Sequence, residues 1–103
     1  MILTKVKASR ALADVEPQYV FWLCDGTAIK NIRELHSALS RIDEGAYNYH
    51  ANESKNDFSA WVNDVVLDPK LASGLHKART KAEALTVLKA RIAWLNKKHE
   101  KHK

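Results

Sequence analysis

The residues best suited to chemistry lie in one short stretch. His50 follows Tyr47 and Tyr49 and is succeeded by Asn52, Asn56 and Asp57. An imidazole among phenols, amides and a carboxylate fits a small-ligand or peptide site, and at the limit an enzyme centre built on His50. The same residue types also satisfy backbone: Asn56 or Asp57 caps a helix, and His50 bonds a loop peptide. The second reading predicts side chains spent on N–H and C=O groups. The first predicts them pointing into a concavity.

A second set is basic. Lys77, Arg79 and Lys81 surround a helix start, and Lys89, Arg91, Lys97, Lys98, Lys101 and Lys103 follow. Lysine and arginine in this density are what phosphates require, and the N–H groups of a helix start add to them. Such contacts give affinity without sequence readout. No helix-turn-helix or RNA-recognition signature accompanies them. The plainer alternative is a solvated helix face with a soluble tail.

Other chemistries find less support. Cys24 is the single cysteine, which excludes an internal disulfide and fits a reducing compartment. It follows the apolar run Tyr19-Val20-Phe21-Trp22-Leu23, where a buried, inert thiol is expected. No G-x-S-x-G, phosphate-cradling glycine loop or dinucleotide fingerprint is present. His99 and His102 stand three apart without the spacing of a closed metal site. Asp64 and Asp68, four apart on a helix, are expected to face solvent. The expectation is a protein without catalytic residues, cofactor or metal.

Charge is distributed unevenly. The formal net charge is +5. Residues 1–30 carry four Lys/Arg and three Asp/Glu, residues 31–68 three against seven, and residues 69–103 ten against two. The last third is therefore +8 and the middle −4. A basic end on an otherwise near-neutral chain points to an anionic partner. The acidic middle suits, equally, docking a second copy. The first residues lack the apolar stretch of a secretory signal, and no run reaches the roughly 20 apolar residues that span a bilayer. A cytoplasmic protein with no membrane association is expected.

Helices must position these groups. Hydrophobic residues are 46% of the chain, and only three Gly and two Pro occur, which favours helices over a turn-rich β fold. Ile2 to Val15 has loose helical spacing and must end before Pro17. Tyr19 to Cys24 reads as an extended segment closed by the Asp25-Gly26 turn. Asn31 with Glu34 starts a helix through Leu35, Leu39 and Ile42. A shorter one runs through Tyr47 to His50. Phe58, Trp61, Val62 and Val65 form the stripe of another. Asp68-Pro69 begins a short helix weakened by Gly74. Thr80 and Glu83 form a capping box ahead of Leu85, Leu88, Ile92 and Leu95.

Residues 18 to about 92 also resemble an uncharacterised family of small helical domains in archaeal and bacterial proteins. The resemblance is carried by Phe21, Asp25-Gly26, Asn31-x-x-Glu34-Leu35, Tyr49-His50-x-Asn52, Asn56-Asp57-Phe58-x-x-Trp61-Val62-x-Asp64 and Leu71-Ala72. It implies a helical fold. It implies no activity and supplies no catalytic residues.

These readings combine into an all-α fold: a compact single domain of about five short helices with an extended N-terminal segment. Residues 1–96 form the domain and 97–103 a basic flexible tail. The function expected is a non-enzymatic binding module that meets nucleic acid through Lys77, Arg79, Lys81, Lys89, Arg91, Lys97, Lys98 and Lys101. The alternative is a protein-interaction or self-associating domain using exposed aromatics near Tyr47, Tyr49 and Trp94. A ligand or interaction site at Tyr47, Tyr49, His50 and Asn52 is the third expectation.

Overall fold

The computed structural model describes residues 2–100, with side chains from 7 to 98. Six α-helices and one minimal hairpin make up the fold: α1 (Ile2–Leu12), β1 (Phe21–Trp22), β2 (Ala28–Ile29), α2 (Ile32–Arg41), α3 (Glu44–His50), α4 (Asp57–Trp61), α5 (Pro69–Lys77) and α6 (Lys81–Glu100). The all-α expectation holds. Lys101 and His102 lie outside the described residues, as does the side chain of His99.

Local signals set most helix starts. The Asn31 side chain accepts the Glu34 N–H and Asp43 accepts that of Ala46. Asn56 accepts the Ser59 N–H, so Asn56 rather than Asp57 is the cap of α4. Asp68 accepts from Leu71, and Thr80 Oγ1 accepts from Glu83 while Glu83 reaches back to the Arg79 N–H. Each satisfies donors that a helix start leaves open.

The segment from Tyr19 to Cys24 has a partner that was not expected. Phe21 pairs with Ile29 and Trp22 with Ala28 in an antiparallel hairpin. Gly26, at φ +91°, makes the reversal. Alternation along this strand puts Phe21 and Leu23 inside and Trp22 and Cys24 outside. The buried thiol expected at Cys24 is therefore corrected: Cys24 is exposed.

Helix α4 continues as a wider π turn over Val62–Val66. Val62 and Val66 enter the core and Val65 is only half-buried, so the inward position expected at 65 moves to 66. The turn ends at Leu67, the one non-glycine described at positive φ (67°). There the Leu67 and Asp68 N–H groups both reach the Val62 carbonyl, closing the helix as a glycine would usually do.

Helix α6 is the spine. Ala84, Leu88 and Leu95 are buried along it, with Leu85 and Ile92 packed at the margin. Helix α2 lies antiparallel, tied at one end by Arg33 to Asn96 (2.5 Å) and at the other by Lys81 to the Ile42 carbonyl (2.6 Å). Helix α1 contributes Ala8, Ala11 and Leu12. An aromatic cluster of Phe21, Tyr47, Phe58 and Trp61 joins the hairpin to α3 and α4, with the Trp61 indole N–H donating to the Tyr19 carbonyl at 2.7 Å. Helix α6 runs to Glu100, past the boundary expected at 96, so Lys97 and Lys98 are helical. Cations in a last turn favour that extension through the helix dipole. No helix among the described residues is long and apolar enough to cross a membrane.

Candidate functional site

The His50 cluster is built from the end of α3 and the start of α4. The ring is 5% exposed and packs at about 5 Å from Phe21, Phe58 and Tyr49. Its Nδ1 lies 2.9 Å from Asp57 Oδ2, and its Nε2 accepts the Cys24 backbone N–H at 3.0 Å. That acceptance leaves the ring proton on Nδ1, where it donates to the carboxylate. Both nitrogens are thus engaged, and the ring ties the hairpin to α4. Asp57 is also held by Lys55 at 3.1 Å. Burial alone would raise its pKa, but the hydrogen bonds of His50 and Lys55 and the Lys55 charge outweigh this and lower it.

The neighbouring side chains are committed in the same manner. Asn52 Oδ1 accepts from Ser54 and Lys55, and its amide donates to the Asn48 carbonyl. Asn56 donates to the Leu75 carbonyl while capping α4. Tyr47, expected among exposed aromatics, is only 2% exposed, because it stacks on Phe58; Tyr49 does face solvent. Burial first, then the charges of Glu44 and Glu83, raises the Tyr47 pKa and keeps the phenol neutral. Tyr47 and Asn52 still border a cleft of about 910 Å³ between residues 51–56 and 76–79, whereas Tyr49 and His50 do not.

The basic residues separate into groups. Lys77 and Arg79, with His76, line that same cleft beside Lys55 and Glu53. At the α6 start, Thr80 and Glu83 already occupy two donors and place a carboxylate there. Lys81 gives its ammonium to the Ile42 carbonyl. Lys89 stands seven residues before Asn96, which bonds α2, and so lies on that flank. Lys97 is exposed. Arg91, Trp94 and Lys98, spaced i, i+3 and i+7, share the opposite flank.

That flank opens on a second concavity, a groove of about 360 Å³ between α1, the α4–α5 joint and α6. Lys7 and Arg10 enter it from α1, Lys70 from α5, and Arg91 from α6, against the single carboxylate of Asp68. The lining therefore carries a net charge of +3 from four cations and one anion. Asp68 is 3% exposed, contrary to its expected solvent position, because Arg91 clasps it by two parallel bonds of 2.9 and 3.0 Å. The Arg91 guanidinium also lies 4.5 Å from the Trp94 ring centroid, and Lys98 Nζ 5.3 Å from it. Lys7, Arg10 and Lys70 make no described ion pair.

Sequence reasoning did not reach Lys7, Arg10 or Lys70 as site residues. They are distant in sequence from Trp94, and only the packing of α1 and α5 on α6 gathers them. The available signal was weak: a spacing of three places Lys7 and Arg10 on one helix face. Among the described residues no group of three or more His, Cys, Asp or Glu is arranged to hold a metal ion.

Neither protein-family models, nor curated proteins, nor solved structures provide a match to this chain.

Proposed function

We propose that the protein is a non-enzymatic helical module that binds nucleic acid through the groove between α1, the start of α5 and α6. The observation that carries this reading is the convergence of Lys7, Arg10 and Lys70, exposed and without described ion pairs, around the half-exposed Trp94. Three cations from two different helices beside an aromatic ring form a phosphate-binding surface with an apolar contact at its edge. Lys97 and Lys98 extend the positive field along α6, and Lys77 and Arg79 supply a separate patch near its start. Helix rise puts Lys81 and Trp94 about 20 Å apart, so the two patches suit a partner extended along α6. A cytoplasmic location, in keeping with the single cysteine, gives access to such a partner.

Titration with labelled DNA and RNA at two salt concentrations tests the proposal. Charge reversal of Lys7 and Arg10 together is expected to weaken binding and to flatten the salt dependence, by a slope of roughly one per lost phosphate contact. Affinity that is insensitive to salt, or indifferent to both reversals, refutes it.

A protein-interaction reading has its own support. Tyr19, Trp22 and Tyr49 expose large aromatic surfaces, and aromatic residues are enriched at protein–protein interfaces. Mass in solution that rises with concentration, and that Trp22→Ser abolishes, would favour self-association.

A further inference from the structure

We infer that the groove takes single-stranded nucleic acid, with one base stacked against the Trp94 indole and adjacent phosphates on Lys7, Arg10 and Lys70. The inference rests on the nucleic-acid reading above and names the form of nucleic acid that this site selects.

Trp94 is the first support. The indole is 44% exposed at the groove edge, so a large apolar face remains in water in the free protein. Its surroundings are ordered. Asp68 fixes Arg91 through two hydrogen bonds, and Arg91 in turn lies 4.5 Å from the ring centroid. The contact with Lys98 is of a different kind: its ammonium approaches the ring to 5.3 Å and has no described carboxylate partner. A long, flexible lysine can leave the ring for a phosphate and give up its place to a base. Base stacking on an aromatic platform needs a free π-face, which a single strand offers and a paired duplex hides.

Leu67 is the second, independent support. Its backbone sits at φ 67°, a conformation that a β-carbon disfavours, and its side chain is 50% exposed while bordering this groove. Glycine would close the π turn at lower cost. Leucine here accepts backbone strain and leaves an apolar side chain wet in the free protein at the edge of the groove. With Pro69 and Ala11, Leu67 supplies apolar surface to a groove otherwise ringed by cations. An apolar interior with a cationic rim suits a base and its flanking phosphates. A volume of about 360 Å³ falls at the small end of ligand pockets.

The experiment compares labelled oligo-dT with a duplex of equal length by fluorescence anisotropy, at one fixed salt concentration. Wild type, Trp94→Ala, Trp94→Phe and Leu67→Gly are measured, and urea midpoints show that each variant is folded. Trp94→Ala is expected to weaken oligo-dT binding by about 5- to 100-fold, the loss of one stacked base, with Trp94→Phe within a few-fold of wild type. Leu67→Gly should raise the urea midpoint while weakening oligo-dT. Duplex binding should be weaker than oligo-dT binding and unchanged by Trp94→Ala. Equal losses on strand and duplex, or no loss on either, overturn the stacking inference and leave the nucleic-acid reading in place. Binding of neither probe overturns both.

Discussion

Gly74 allows α5 and α6 to approach each other, and replacing it by alanine makes a prediction whose sign depends on a neighbour. An ideal Cβ at position 74 lies 2.8 Å from Val87 Cγ1 of α6, against about 3.5 Å for relaxed carbon contact. In an isolated helix the change is favourable by about 0.8–1 kcal/mol, because alanine loses less backbone entropy. Here the overlap must be relieved. Val87 is β-branched and half-buried, and in a helix such residues hold one χ1 rotamer in roughly nine cases of ten. Rotating it, or parting the helices, carries an overpacking cost of about 1–3 kcal/mol. Gly74→Ala is therefore expected to be neutral to destabilising by about 2 kcal/mol in the native background. With Val87→Ala already present the obstacle is gone, and the same change should stabilise by about 1 kcal/mol. Urea unfolding of the four proteins of this double-mutant cycle supplies the numbers. Stabilisation by Gly74→Ala with Val87 intact would refute the close-approach argument.

Three further predictions concern the polar contacts. His50→Ala leaves the Cys24 N–H without its acceptor and removes a packed ring, so a loss of about 2–4 kcal/mol is expected by chemical denaturation, with His50→Gln losing less because its amide oxygen can still accept. Loss of nucleic-acid binding in a fully stable His50→Gln protein would contradict the structural role. Arg91→Met strands the Asp68 carboxylate and should cost about 3–5 kcal/mol, whereas Asp68→Asn preserves the cap on Leu71 and lets Arg91 turn to water. The reverse order of the two urea midpoints would contradict that account. Asp57 is held below the ordinary carboxylate pKa of about 3.9, so its stabilisation is present above about pH 4 and disappears as the pH falls through the lower folded-state value. Asp57→Asn should therefore flatten the stability profile below about pH 4, measured by urea midpoints across acid pH. An unchanged acid limb would show that its pairing with His50 and Lys55 adds nothing.

Legibility in the sequence followed the range of the interaction. The caps at Asn31, Asn56, Asp68 and Thr80 were readable because each bonds an N–H three residues away, and the apolar spacing of Leu88 and Leu95 placed α6. The commitment of Asn56 and His50 to backbone groups is one of two readings that these residue types allow. Strand alternation was local too, yet the aromatic run around Cys24 suggested burial throughout, and its partner strand of two residues was too short to leave a pattern. Asp68 looked like one of a pair of surface acids because its partner Arg91 stands 23 residues away.

For this protein, residue order alone determined the helical class, the helix starts and the concentration of positive charge in the last third. Tertiary structure decided which charges remain available: it drew Arg91 and Lys81 into internal bonds, separated Lys77 and Arg79 from Trp94, and brought Lys7, Arg10 and Lys70 to the groove. The physical reason is that capping and amphipathic periodicity act within a few residues, whereas desolvation and charge pairing depend on distance through space, which chain order does not encode until the helices have packed.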